Sequence, residues 1–268
     1  MNNDLKKIGL ALSGGGAKGI AQAGVLKFLE EQNMHPDEIA GTSAGAIVGA
    51  MYAWGKTPDE ILDFFKSVYF FNWRHFTLKR GGMLDSVAFK TYFQNVFGEA
   101  TIGDLKIKTQ ITATDLVHGR LKIFENETKI VDAILASTSV PGVVSPHIIN
   151  GKIYSDGGIL NHFPSDLLFE KCDFLIGVYV SSLQVIEPNH LNSMKAVTAR
   201  AFNLLSANGD YQKYKLCNWL IQPPELSSFN TFETNRSKME AIFNIGYESA
   251  KASYAEISNM DKIMLQTQ

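Results

Sequence analysis

The alternation of apolar and polar positions sets out the chain's elements in order. Ile8 to Leu12 is a short apolar run of strand length, and Ser13 to Gly16 reads as a turn. From Ala17 the spacing of Ile20, Gly24 and Phe28, with Val25 and Leu29, predicts a helix with one apolar face that ends before Pro36. A second short strand, Glu38 to Gly41, runs into Thr42-Ser43-Ala44-Gly45 and a helix that stops at Gly55. Thr57-Pro58-Asp59-Glu60 is a capping box with proline at the first helical position, so a third helix starts there. Thr109 to Thr114 and Arg120 to Phe124 read as paired strands, and Ile130 to Ser137 as a helix closed off before Pro141. Asn150-Gly151, between His147–Ile149 and Lys152–Tyr154, is a strong hairpin signal. Asp173 to Val180 is apolar and of strand length. Residues 191–206 and 238–254 read as helices, with Leu216 to Ile221 as a strand between them. Strands alternating with helices predict a layered α/β domain around a mostly parallel sheet, with the strand order left open.

Composition narrows the function classes. A chain of 268 residues without repeats or linker-like tracts fits one domain over 1–268. Its motif-bearing core would cover about 7–180, and a helical C-terminal part about 190–268. The formal charge of -2 offers no field for nucleic acid. Two cysteines, Cys172 and Cys217, lie far apart without a C-x-x-C pair, which speaks against a disulfide scaffold or zinc site and for a reducing compartment. The run Ile8 to Leu12 is too short for a signal-peptide core, and Ala44 to Trp54 falls short of the ~20 residues a bilayer span needs. The expectation is a cytoplasmic protein with at most peripheral membrane contact.

Three segments carry candidate chemistry. Gly41-Thr42-Ser43-Ala44-Gly45 is a G-x-S-x-G between a strand and a helix, where a sharp turn would expose the serine hydroxyl above the sheet. Taken alone, the pentapeptide reads better as a serine helix cap among small residues. Ser13-Gly14-Gly15-Gly16-Ala17-Lys18-Gly19 leaves backbone N–H groups unshielded, as an oxyanion or phosphate cradle requires. It also satisfies G-x-G-x-x-G through Gly14, Gly16 and Gly19, which makes a dinucleotide-binding oxidoreductase the rival reading. That rival needs a carboxylate at the end of the second strand, where this chain has Gly41-Thr42-Ser43. Asp156-Gly157-Gly158 places an aspartate just beyond a strand, where it either binds its own turn or takes a proton from a serine. Of the six histidines only His162 and His190 follow Asp156, and His162 stands too near it in the chain to look independent. Each histidine, taken singly, reads as surface or structural.

Together these segments resemble the patatin-like phospholipase family. The likeness rests on Gly14-Gly15-Gly16-Ala17-Lys18-Gly19, Gly41-Thr42-Ser43-Ala44-Gly45 and Asp156-Gly157-Gly158 in that order. Ala136-Ser137-Thr138-Ser139-Val140-Pro141, similar to the family's A-S-x-S-x-P segment, and Phe163-Pro164 support it. The resemblance implies a three-layer α/β/α fold and hydrolysis of a lipid or other ester by a Ser-Asp dyad, with no cofactor, metal or catalytic histidine. Carried over by position, Ser43 is the nucleophile, Asp156 the base, and the N–H groups of Gly14, Gly15 and Gly16 the oxyanion hole. Lys18 stands where the family often has arginine, and is a candidate anion contact without the planar fork that grips phosphate twice. A non-catalytic lipid-binding module is the third reading, although it has no need of both Ser43 and Asp156. A homo-oligomer is left open. The aromatic stretch Phe64, Phe65, Tyr69, Phe70, Phe71, Trp73 and Phe76, ahead of Gly81-Gly82, is either an acyl-chain groove or lipid-facing lid, or core filling; burial is the commoner role. A carboxylate that acts as base in such a dyad is expected to be partly buried and to give an acidic limb in the rate profile.

Overall fold

The computed structural model describes residues 7–68, 89–183 and 185–257. In chain order its regular elements are β1 (Ile8–Leu12), α1 (Ile20–Glu31), β2 (Glu38–Thr42), α2 (Ala44–Trp54), α3 (Pro58–Ser67), α4 (Lys90–Phe97), β3 (Lys108–Asp115), β4 (Arg120–Ile123), α5 (Ile130–Ser137), β5 (His147–Ile149), β6 (Lys152–Asp156), β7 (Phe174–Val178), α6 (Met194–Asp210), β8 (Trp219–Ile221) and α7 (Arg236–Glu256). The strands form one sheet in the order β5-β6-β3-β2-β1-β7-β8, with β4 also paired to β3. The run from β3 through β2, β1 and β7 to β8 is parallel, whereas β4, β5 and β6 join antiparallel. The sheet is thus mixed: the expected parallel core carries an antiparallel flank.

Side-chain alternation along the central strands explains the unequal layers. Leu10, Leu12, Ile39, Ile176 and Val178 point into the main core, which α1, α2, α3, α5 and α7 help to close. Ala11, Ala40 and Leu175 point the other way and meet Phe163, Leu168 and Tyr179 in a small second core. That thinner layer rests on the 3-10 turns Pro164–Leu167 and Lys213–Leu216. The switch of faces from one residue to the next follows the period of two of a strand, and the second face is the smaller because Ala11 and Ala40 stand on it.

The helix signals at Thr57 and Gly55 act as expected. The Thr57 hydroxyl accepts from the Glu60 N–H at 3.2 Å, the Glu60 carboxylate accepts from the Thr57 N–H at 2.8 Å, and Gly55 ends α2 at φ 99°. Elsewhere the boundaries move. Gly16–Gly19 forms a 3-10 turn, so the first α-helix begins at Ile20 rather than Ala17. Leu216 lies in a 3-10 turn, which shortens β8 to three residues. The unforeseen α4 is held by buried Phe93 and Phe97, one turn apart, too few anchors to register as a periodic pattern. Phe64 and Phe65 are buried in the main core, where Phe65 also lines a small cavity that reaches Ser43. Tyr69, Phe70, Phe71, Trp73, Phe76, Gly81 and Gly82 lie outside the described residues.

The C-terminal helix is built into this core. Helices α1 and α7 cross so closely that a Cβ on Gly24 would stand 2.0 Å from the Phe243 carbonyl oxygen, and one on Gly246 would stand 1.9 Å from that of Ala21. Both obstacles are backbone, which cannot rotate away. Gly246→Ala is therefore expected to lower stability by about 1–3 kcal/mol, the usual cost of overpacking, read as a lower midpoint in urea. An unchanged midpoint would mean that the two helices separate freely.

Candidate active site

Ser43 occupies the turn between β2 and α2 with φ 54° and ψ -119°, a conformation costly for a residue with a Cβ. The turn is possible because its neighbours are bare. A Cβ on Gly41 would come within 2.4 Å of the Gly45 carbonyl oxygen, and one on Gly45 within 2.3 Å of the Leu12 oxygen. The Ser43 side chain makes no capping hydrogen bond to α2, so the helix-cap reading of the pentapeptide does not hold. Its backbone N–H is instead held by the Ser137 hydroxyl at 2.9 Å.

Asp156 closes β6 as its last residue, rather than standing beyond the strand, and only 2% of it is exposed. Its N–H donates to the Ser139 carbonyl at 3.0 Å, and its own carbonyl accepts from the Thr114 hydroxyl at 2.9 Å. One carboxylate oxygen accepts the Gly158 N–H at 2.7 Å. Burial pushes the Asp156 carboxyl up to about 6, against the opposing pull of a hydrogen bond from Ser43, the Gly158 N–H and the charge of His162. The segment from Ala136 to Pro141 ties the two motifs together: Ser137 holds the Ser43 backbone, and the Ser139 carbonyl receives both the Asp156 N–H and the Ser155 hydroxyl.

The glycine loop lies against this pair, but its three amides differ. The Gly14 N–H donates to the His162 carbonyl at 3.0 Å, so it is already engaged. Among the described residues, the Gly15 and Gly16 N–H groups donate to no carbonyl or side chain. Gly16 has φ +59°, and a Cβ there would meet the Thr231 carbonyl oxygen at 2.3 Å, so glycine is needed on both counts. Lys18 is buried, its ammonium has no carboxylate partner among the described residues, and desolvation lowers its pKa.

Two cavities meet at Ser43 and Gly16. The smaller, about 80 Å³, is walled mainly by apolar groups such as Ile47, Phe65, Val68, Phe89 and Met239. The larger, about 700 Å³, is more polar and contains Lys18, Asp156, His162 and Arg200. His162 also lies in this cleft, buried and hydrogen-bonded to Asp210. Nearness in the chain counted against His162, yet the 3-10 turn Gly157–Ile159 folds it back beside the aspartate. Among the described residues, no group of histidine, cysteine, aspartate or glutamate side chains is arranged to hold a metal ion.

Comparison with known proteins places this geometry. The family model described as patatin-like phospholipase matches residues 10–169. The chain belongs to the patatin-like phospholipase family. An uncharacterized NTE family protein of Mycobacterium tuberculosis is 31% identical over 214 residues, covering 75% of this chain; the chain spans 59% of that relative's length. The lysophospholipase NTE1 of Phaeosphaeria nodorum is 23% identical over 94% of this chain, which matches 18% of that longer protein. Among solved structures, VipD from Legionella pneumophila superposes with a TM-score of 0.60 at 16% identity, covering 94% of this chain and 67% of VipD. That likeness extends the patatin-like fold beyond the matched motifs into the C-terminal third.

The burial of Asp156 has a consequence for stability. Its folded value of about 6 lies above the ordinary 3.8, so the native state holds the proton more tightly than the unfolded chain. Its contribution is therefore fully present below about pH 3.8 and is lost as pH rises through 6. The difference amounts to roughly 3 kcal/mol. Asp156→Asn is expected to be more stable than wild type at pH 8 and to lose that advantage near pH 4. Denaturant midpoints at the two pH values check this, and a variant less stable at both would contradict a desolvated carboxylate.

Proposed function

We propose that this patatin-like protein is a serine acyl hydrolase that cleaves carboxylic ester bonds of lipids through Ser43 and Asp156. The observation that carries the reading is a serine held in a strained turn, uncapped, beside a buried carboxylate. Asp156 takes the Ser43 proton as the hydroxyl oxygen bonds to the ester carbonyl carbon. The carbonyl π electrons move to oxygen, and the negative charge meets the N–H groups of Gly15 and Gly16. This two-amide hole replaces the three-glycine assignment, since the Gly14 N–H is committed to the His162 carbonyl. The C–O bond to the leaving alcohol then breaks, and Asp156 returns the proton to that oxygen. In the second half, water gives its proton to Asp156 and attacks the acyl-enzyme, releasing the fatty acid and restoring Ser43.

The cavities support a division of the substrate. The small apolar pocket suits the acyl chain beside the scissile bond, and the larger cleft suits the remainder of the lipid. Lys18 provides a positive charge there for an anionic group. The named activity of the Phaeosphaeria relative, a lysophospholipase, agrees with a lipid ester as substrate. The single-domain reading of 1–268 belongs to this proposal and is supported by a core that runs from Ile8 to Ala250. The dinucleotide alternative gains no support, because β2 ends in the nucleophile turn and not in a carboxylate.

Access from a lipid surface is part of the same reading. No helix among the described residues is long and apolar enough to cross a membrane. Helix α6, however, lines the cleft with Arg200, Phe202, Asn203 and Ser206 and exposes Met194, Val197, Leu204 and Leu205. An apolar stripe beside the mouth of a lipid site suits the headgroup boundary of a bilayer.

Two measurements follow. Hydrolysis of a medium-chain p-nitrophenyl ester is expected in wild type and to fall at least a thousandfold in folded Ser43→Ala and Asp156→Ala. Retained turnover in Ser43→Ala would remove the nucleophile assignment. Wild type is also expected to float with phosphatidylcholine vesicles, and a folded Leu204→Ser/Leu205→Ser variant to stay in the aqueous fraction. Equal flotation of the two would exclude α6 as the contact.

A further inference from the structure

The best-built polar contact beside the dyad belongs to a residue that the mechanism above does not use. Asp210, the last residue of α6, is 1% exposed. One of its carboxylate oxygens lies 2.9 Å from His162 Nδ1, and the other accepts the Phe163 N–H at 3.1 Å. An ionised carboxylate against Nδ1 fixes a proton on that nitrogen. The opposite edge of the ring, Nε2 and Cδ2, is then the edge turned toward the dyad.

Two glycines mark where that edge lies. A Cβ on Gly14 would stand 2.8 Å from His162 Nε2 and 3.4 Å from the Ser43 Cβ. A Cβ on Gly158 would stand 2.9 Å from Asp156 Oδ1 and 3.1 Å from His162 Cδ2. The ring therefore faces the nucleophile across one bare backbone and the base across the other. A buried histidine serving only to clip α6 to its loop would have no reason for this approach. The Ser206 hydroxyl, which donates to the Gly158 carbonyl at 2.8 Å, already provides such a clip.

We propose that His162, oriented by Asp210, is a positioning residue of the site that acts on the Ser43–Asp156 pair through its charge beside Asp156. This rests on the dyad reading and adds a third and a fourth residue to it. The physical effect is simple: a positive charge near a buried carboxylate favours the ionised form that accepts the serine proton. The charge of His162 acts on Asp156 in that direction. The other groups around the ring are Tyr179, whose ring centroid lies 5.8 Å away, with Lys18, His190 and Arg200 lining the same cleft.

The test is the pH dependence of Ser43 labelling by an alkyl fluorophosphonate, which needs the nucleophile and base but no deacylation. Wild type, His162→Gln and Asp210→Asn are compared, each with near-UV circular dichroism as a fold check. His162→Gln removes the charge directly; Asp210→Asn removes the carboxylate that holds Nδ1 of the ring. In either folded variant the half-point of the acid limb is expected to move upward by about half a pH unit or more, and by that criterion a single folded variant decides. A role confined to structure would lower the labelled fraction or the melting temperature and leave the half-point in place. An unmoved half-point in a folded variant overturns the proposal. A wild type that is not labelled at Ser43 would instead overturn the dyad reading itself, so the two failures are distinguishable.

Discussion

The site depends on keeping one carboxylate out of water. The base of the proposed Ser43–Asp156 dyad must hold a proton near neutrality, and an aspartate in water does not. Burial of Asp156 supplies that basicity at a cost in stability, and the rest of the sheet is arranged to carry it. The Ser139 carbonyl and the Thr114 hydroxyl fix its backbone, while the Gly158 N–H and Ser43 limit how far the carboxyl rises. The antiparallel flank matters here, because β6 delivers Asp156 alongside Ala113 of β3, next to the strand that leads to Ser43.

Close approach of backbones is the second constraint, and it explains why glycine recurs in every motif for different reasons. Gly45 lets α2 pass over the end of β1, and Gly157 leaves room for the Thr112 hydroxyl, which shares a 2.6 Å hydrogen bond with Thr42. Gly16 needs both the space and a left-handed backbone. Gly14 and Gly158 differ again, since the edge of His162 fills the missing side-chain position of the first and shares that of the second with Asp156 Oδ1. A pattern of conserved-looking chemistry in sequence is thus resolved by structure into separate steric demands.

Local signals were legible and long-range partners were not. Strand β1, the start of β2, the turn at Ser43, the Thr57 capping box and the Asn150-Gly151 hairpin are encoded within a few residues, and each stands where the chain pattern puts it. The sheet order was unreadable because hydrophobic runs do not state their neighbours. The glycine loop could be recognised as a cradle, but only the position of the His162 carbonyl determines which of its three N–H groups is free. His162 was discounted for being close to Asp156 in the chain. The tight turn Gly157–Ile159 explains why the ring nevertheless lies beside the carboxylate six residues earlier.

The part of the chain without recognisable motifs shows why function can be hidden in an unremarkable helix. Helix α6 turns Ser206 and Asp210 inward to bond the aspartate loop and leaves Met194, Leu204 and Leu205 outward. This inverts the usual arrangement of a surface helix, in which the apolar stripe faces the core. Read along the sequence, the apolar positions of α6 look like core contacts; in space, the core side is polar because it faces the site. A helix whose buried face is hydrogen-bonded and whose exposed face is apolar draws little of its stability from its own core packing. The Asp210 and Ser206 contacts tie α6 to the loop that follows Asp156. On the proposed reading, α6 thus joins a wall of the site to the surface offered to lipid.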